Sequence, residues 1–107
     1  MNIMKMMKQA ADLQRRMQEK QEALAGRTVE FSSGGGRVTV TARGDLTIER
    51  VRIDPNVVDP ADVEMLEDLV TAAVTGALSA AREMAAREMA ALTEGLDLPG
   101  GAKLPFL

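Results

Sequence analysis

Apolar residues in the first quarter of the chain fall at Ile3, Met6, Ala10, Leu13, Met17 and Leu24, at spacings of 3, 4, 3, 4 and 7. That is the repeat of a helix with one narrow apolar seam, interrupted only by Lys20. Gly26 stands where such a helix is capped, so the pattern predicts a helix over residues 3–25. At 1.5 Å of rise per residue it is roughly 35 Å long. A chain of 107 residues folds around one small core. A helix of that length cannot lie wholly on such a core, so part of it projects or meets a second chain. A seam rich in Met and Ala suits another helix, which makes Ile3, Met6, Ala10, Leu13 and Met17 the expected dimer contacts. The second half of the seam is expected to pack on the chain's own sheet.

Three short strands follow. Val29 and Phe31 alternate in the first, which ends at Ser32-Ser33-Gly34-Gly35-Gly36. Val38, Val40 and Ala42 alternate with Arg37, Thr39, Thr41 and Arg43 in the second, the pattern of a half-buried strand. Gly44-Asp45 turns the chain, and Leu46, Ile48, Val51 and Ile53 mark the third. The three-residue step from Ile48 to Val51 breaks period two and predicts a bulge near Glu49-Arg50. Connections this short make an antiparallel meander, apolar on one face and Thr/Arg on the other. Its open edges invite pairing across a dimer.

Asp59-Pro60 reads as the N-cap and first position of a second helix, with acids in its first turn. Val63, Leu66, Leu69, Val70, Ala73, Val74, Ala77 and Leu78 continue at helical spacing to about Glu94, on the order of 50 Å. Thr75-Gly76 is the expected place for a bend or break. The stretch from Ala80 to Ala91 has the composition of an exposed arm, and Gly95 closes the helix. The fold class is therefore α+β: a long N-terminal helix, a three-stranded meander and a long C-terminal helix. Residues 1–95 form one domain, and residues 96–107 a flexible tail.

Composition removes most enzyme classes. With no Cys, thiol nucleophiles, disulfides and thiolate metal sites are excluded, and with no His the chain lacks imidazole acid–base chemistry and the ligand that catalytic zinc sites nearly always use. Gly34-Gly35-Gly36 leads into a strand, without the following Lys-Ser/Thr of a phosphate loop, so it reads as a hairpin turn. The acids Asp59, Asp62, Glu64, Glu67 and Asp68 lack calcium-loop spacing and suit a helix N-terminus instead. No catalytic residue, cofactor, metal or small-molecule substrate is expected. No apolar run approaches a membrane span and no signal peptide is evident, which points to a soluble cytoplasmic protein.

The net charge of −3 hides a split: residues 1–53 carry +4 and residues 54–107 carry −7. A basic half is compatible with a nucleic-acid partner. On the first helix Lys5, Lys8, Arg15 and Arg16 lie away from the apolar seam. They also invite intrahelical pairs, Lys8–Asp12, Asp12–Arg16 and Arg15–Glu19, and a salt-bridged face needs no ligand. If DNA is the partner, contacts go to phosphates, with little sequence preference and steep salt dependence. A second reading is a protein-interaction adaptor that grips another protein with Met/Ala-rich helical arms.

Four segments then resemble one family in order along the chain. They are Met6-Met7-Lys8-Gln9-Ala10, Val51-Arg52-Ile53-Asp54-Pro55, Glu64-Met65-Leu66-Glu67-Asp68-Leu69-Val70, and Leu98-Pro99-Gly100-Gly101-Ala102-Lys103-Leu104-Pro105-Phe106. The chain is similar over essentially its whole length to the bacterial YbaB/EbfC nucleoid-associated proteins. The resemblance implies a tweezer-like homodimer with projecting arms. It implies binding of duplex DNA that alters DNA conformation, and a role in nucleoid organisation or gene expression. DNA contact on the arms transfers here to Lys5, Lys8, Arg15, Arg16, Arg82 and Arg87.

Overall fold

In the computed structural model the described residues are 2–94; the expected tail at 96–107 lies outside them, as does Gly95. Helix α1 runs Ile3–Ala25, and the Asn2 side chain accepts a hydrogen bond from the Lys5 N–H at its start. At its end the Gly26 N–H donates to Ala23 O and the Arg27 N–H to Leu24 O, closing the last turn. Strands β1 (Thr28–Ser33), β2 (Val38–Arg43) and β3 (Ile48–Ile53) form an antiparallel sheet in the order β1-β2-β3. A short 3-10 turn at Pro55–Val57 leads to helix α2, Val63–Glu94.

The turns follow from their residues. Gly34, Gly35 and Gly36 have φ of 59°, 69° and 93°, and Ser33 O accepts from the N–H of Gly36 and Arg37. This is a left-handed hairpin turn that side-chain-bearing residues resist. Between β2 and β3, Asp45 accepts hydrogen bonds from the Thr47 N–H and hydroxyl, at 3.1 and 2.5 Å. The hydroxyl bond holds the Asp45 carboxyl below its ordinary range. Leu46, expected to open the third strand, instead sits in this turn at φ 67° and is exposed. The bulge is where the period predicts it: Thr41 faces Arg50 and Ala42 faces Ile48, leaving Glu49 without an opposite residue.

Helix α2 begins one turn later than the Asp59-Pro60 signal suggests. Asp59 caps a separate turn by accepting from the Ala61 N–H, and Asp62 accepts from the Met65 N–H as a true N-cap. The helix then continues without a break through Thr75-Gly76. A β-carbon on Gly76 would come within 2.2 Å of the Phe31 ring, so the missing side chain admits an aromatic rather than interrupting the helix.

Val38, Val40 and Ala42 of β2 are fully buried against Ala73, Ala77 and Ala81 of α2. The alanines recur every four residues, so one stripe of small side chains lets the helix approach the sheet closely. Ser33 adds a polar tie by donating to Leu69 O at 2.6 Å. Helix α2 lies over β1 and β2, and the same-face residues of β3 stay uncovered: Ile48 is 37% and Val51 42% exposed.

The second half of α1 does not pack on the sheet as expected. It packs on α2, with Leu24 buried beside the Gly44 turn and with Lys20 and Arg27 both bound to Glu88 of α2. Glu88 follows Ala77, Ala81 and Met84 along the buried stripe, so one helix face serves the sheet first and α1 afterwards. The last third of α2 is therefore only partly an arm. Among the described residues the first half of α1 has no such cover. The result is long and thin, 71 × 24 × 16 Å, with a radius of gyration of 19.8 Å; a compact domain of this size has about 13 Å.

Candidate nucleic-acid interface

The uncovered part of α1 presents two different surfaces. Along its seam, exposure falls from Ile3 at 69% and Met6 at 53%, through half-buried Leu13 and Met17, to buried Leu24; Ala10 is exposed. Exposed Met7 borders this seam at its tip, while exposed Met4 falls toward the cations. At about 100° of rotation per residue, Lys5, Lys8, Arg15 and Arg16 gather on the side away from that seam, spread over roughly 16 Å of helix. All four are exposed.

Ion pairing divides them. Arg15 takes both neighbouring acids, Asp12 at 3.8 Å and Glu19 at 4.0 Å. The expected Lys8–Asp12 and Asp12–Arg16 pairs do not form, because Asp12 points to Arg15. Lys5, Lys8 and Arg16 thus have no acidic partner within 4 Å among the described residues. Exposed pairs such as those of Arg15 contribute little stability, so the guanidinium is available to a stronger anion.

On α2, Arg82 and Arg87 are exposed. Arg87 pairs with Glu83 one turn away at 3.7 Å, while Arg82 carries no ion pair among the described residues. Glu88 does not neutralise Arg87. It is taken by Lys20 at 2.9 Å and by Arg27, and their hydrogen bonds hold its carboxyl below the usual glutamate range. The Lys20–Glu88–Arg27 junction thereby fixes where α1 leaves the body, and with it where Lys5, Lys8 and Arg16 are presented. The cations of α1 and α2 are not gathered into a pocket. They form an open, discontinuous basic surface, the arrangement suited to an extended polyanion.

Two features were not singled out from sequence. The outward face of the sheet carries Arg37, Arg50 and Arg52, all exposed and none in an ion pair among the described residues. Alternation placed these arginines on one face, but nothing in the pattern separated them from an ordinary solvated surface. The exposure of Ile48 and Val51 had no signal of its own, since apolar residues on a strand read as core. Among the described residues no acidic cluster could hold a metal ion, and no helix is long and apolar enough to cross a membrane.

Comparison with known proteins agrees with this architecture. A solved structure of an uncharacterized protein from Helicobacter pylori superposes with a TM-score of 0.72 at 19% identity, covering 87% of this chain and 96% of that one. It shares the fold. A nucleoid-associated protein of Gluconacetobacter diazotrophicus is 46% identical over 105 residues, 98% of each chain. Another, from Moorella thermoacetica, is 52% identical over 99 residues, 92% of this chain and 95% of its own. The family model described as the YbaB/EbfC DNA-binding family matches residues 1–96. With that match spanning all the described elements, the chain belongs to the YbaB/EbfC DNA-binding family.

Proposed function

We propose that this chain is a nucleoid-associated protein that binds duplex DNA as a homodimer, largely without sequence specificity, and alters DNA conformation. Its place of action is the nucleoid, within the cytoplasm, where it influences nucleoid organisation or gene expression. Phosphates are contacted by Lys5, Lys8, Arg15 and Arg16 of α1 and by Arg82 and Arg87 of α2. The observation that carries the reading is the projecting half of α1, with unpaired cations on one side and an uncovered apolar seam on the other. A monomer gains nothing from holding Ile3 and Met6 in water. A second copy on the seam of Ile3, Met6, Ala10, Leu13 and Met17 removes that cost, and the open face of β3 offers a further contact.

Six contacting cations per protomer allow up to about twelve phosphate contacts per dimer on the arms, hence a slope of log K against log salt no steeper than roughly −11 from the arms. The test is a mobility shift on unrelated duplexes across a salt series, beside light scattering. Similar affinities falling steeply with salt support the reading. No shift at low salt with micromolar dimer refutes it. The triple variant K8E/R15E/R16E should lose DNA while remaining dimeric.

Met4 and Met7, at 81% and 66% exposure, lie off the seam and favour a second reading, an adaptor whose flexible arms hold another protein. On that reading the same triple variant keeps its partner and wild type gives no salt-dependent shift.

A further inference from the structure

The sheet has a second face, turned away from α2. Val38, Val40 and Ala42 point at α2, so the alternate residues Arg37, Thr39, Thr41 and Arg43 point the other way. Register brings Arg50 opposite Thr41 and Arg52 opposite Thr39, while Arg37 lies across from Asp54. Arg50 and Arg52 stand about 7 Å apart along their strand, and Arg37 and Arg52 are diagonal neighbours at about 7–8 Å. Three guanidinium groups therefore share one exposed patch.

The acids nearby are otherwise engaged. Glu49 pairs with Arg43 at 3.5 Å, Asp54 accepts from the Asn56 N–H at 2.9 Å, and Glu30 reaches Thr41 at 3.5 Å from the far strand. Like charges held this close repel one another unless an anion lies between them. The surroundings are Thr39, Thr41 and the Ser32 hydroxyl, which is hydrogen-bonded to Thr39 at 2.8 Å. Among the described residues no aromatic side chain lies on this face, since Phe31 faces α2. Base stacking, the usual means of holding single strands, is thus absent. What a flat row of guanidinium and hydroxyl groups does suit is a phosphate backbone.

We propose that Arg37, Arg50 and Arg52 form a second binding surface for the phosphates of duplex DNA. It lies on the opposite face of the sheet from α2, apart from the helical cations, so the protein holds one duplex on its arms and another on its sheet. This rests on the DNA reading above but adds a separate surface and a bridging activity.

The experiment compares wild type, the sheet variant R37Q/R50Q/R52Q and the arm variant K8E/R15E/R16E, as purified full-length chains. One readout is the mobility shift of a single duplex; the other is capture of a labelled duplex by protein loaded on an immobilised one. The sheet variant should still shift a single duplex but capture the second at least tenfold less. The charge-preserving variant R37K/R50K/R52K should retain capture. Removing the one acid left on β1, Glu30→Gln, should raise capture, a gain that misfolding cannot imitate. Unchanged capture by a folded sheet variant overturns the proposal and leaves the arm reading standing. Single-duplex binding lost in the sheet variant but kept in the arm variant overturns the bridging and the arm reading alike. Failure of wild type to shift DNA at low salt overturns both.

Discussion

Replacing Gly76 by Ala sets two effects against each other at one atom. An alanine in a helix interior is favoured over glycine by about 0.8–1.0 kcal/mol. Here the new methyl would meet Cδ1 and Cε1 of Phe31 at 2.2 Å and Cγ at 2.7 Å, distances no packed side chain tolerates. Relieving them requires the ring to leave α2 or the helix to lift from β1. Overpacking of this kind costs roughly 1–3 kcal/mol. Since Phe31 is already 43% exposed, its ring can swing outward, which places the cost near the middle of that range. The expected net loss for G76A is about 1 kcal/mol, or a fall of several degrees in Tm. In a Phe31→Ala background the obstacle is gone and the same change should stabilise by about 1 kcal/mol. Denaturant unfolding of the four chains at one protomer concentration gives the coupling, about 2 kcal/mol with a reversal of sign. If G76A stabilises wild type, or the coupling falls below about 0.5 kcal/mol, Phe31 does not depend on the glycine and the packing account is wrong.

Leu24 is 4% exposed at the α1–α2 junction, so Leu24→Ala should cost about 2–4 kcal/mol in urea unfolding and weaken DNA binding by freeing the arm. Hydrogen bonds from Lys20 and Arg27 depress the Glu88 carboxyl, so its contribution is present above the ordinary glutamate value near 4.3 and lost as pH falls through the folded value. Melting curves taken from neutral pH downward should show a smaller acid loss for Glu88→Gln than for wild type; identical losses would remove the junction from the account. Asp62→Ala should destabilise by about 1 kcal/mol while Asp59→Ala costs less, because only Asp62 caps α2. Ile3→Glu with Met6→Glu should lower the mass seen by light scattering if α1 carries the dimer, whereas Val51→Glu should do so if β3 carries it.

The elements themselves were legible because each has a local cause. The 3–4 spacing to Leu24, the alternation from Arg37 to Arg43 and the broken period before Val51 produced α1, β2 and the bulge where they are found. Errors fell where two local signals compete. Asp59-Pro60 and Asp62 are both good starts, and the chain uses the first for a turn and the second for the helix. Gly76 reads as a breaker because a helix interior normally loses by it. Only the ring of Phe31, forty-five positions earlier, makes it the fitting residue.

What sequence alone determined here is therefore what depends on neighbours along the chain: the order of elements, which face of each is apolar, and the helix cations opposite an apolar seam. Tertiary structure decided the rest, because it depends on which residues meet across space. It placed α1 on α2 through Leu24 and Glu88 instead of on the sheet, and it left Ile48 and Val51 uncovered. It gave Asp12 to Arg15, which released Lys8 and Arg16 for another anion. Charges read one at a time along a helix cannot reveal this, since each acid satisfies one neighbour only at the expense of the others.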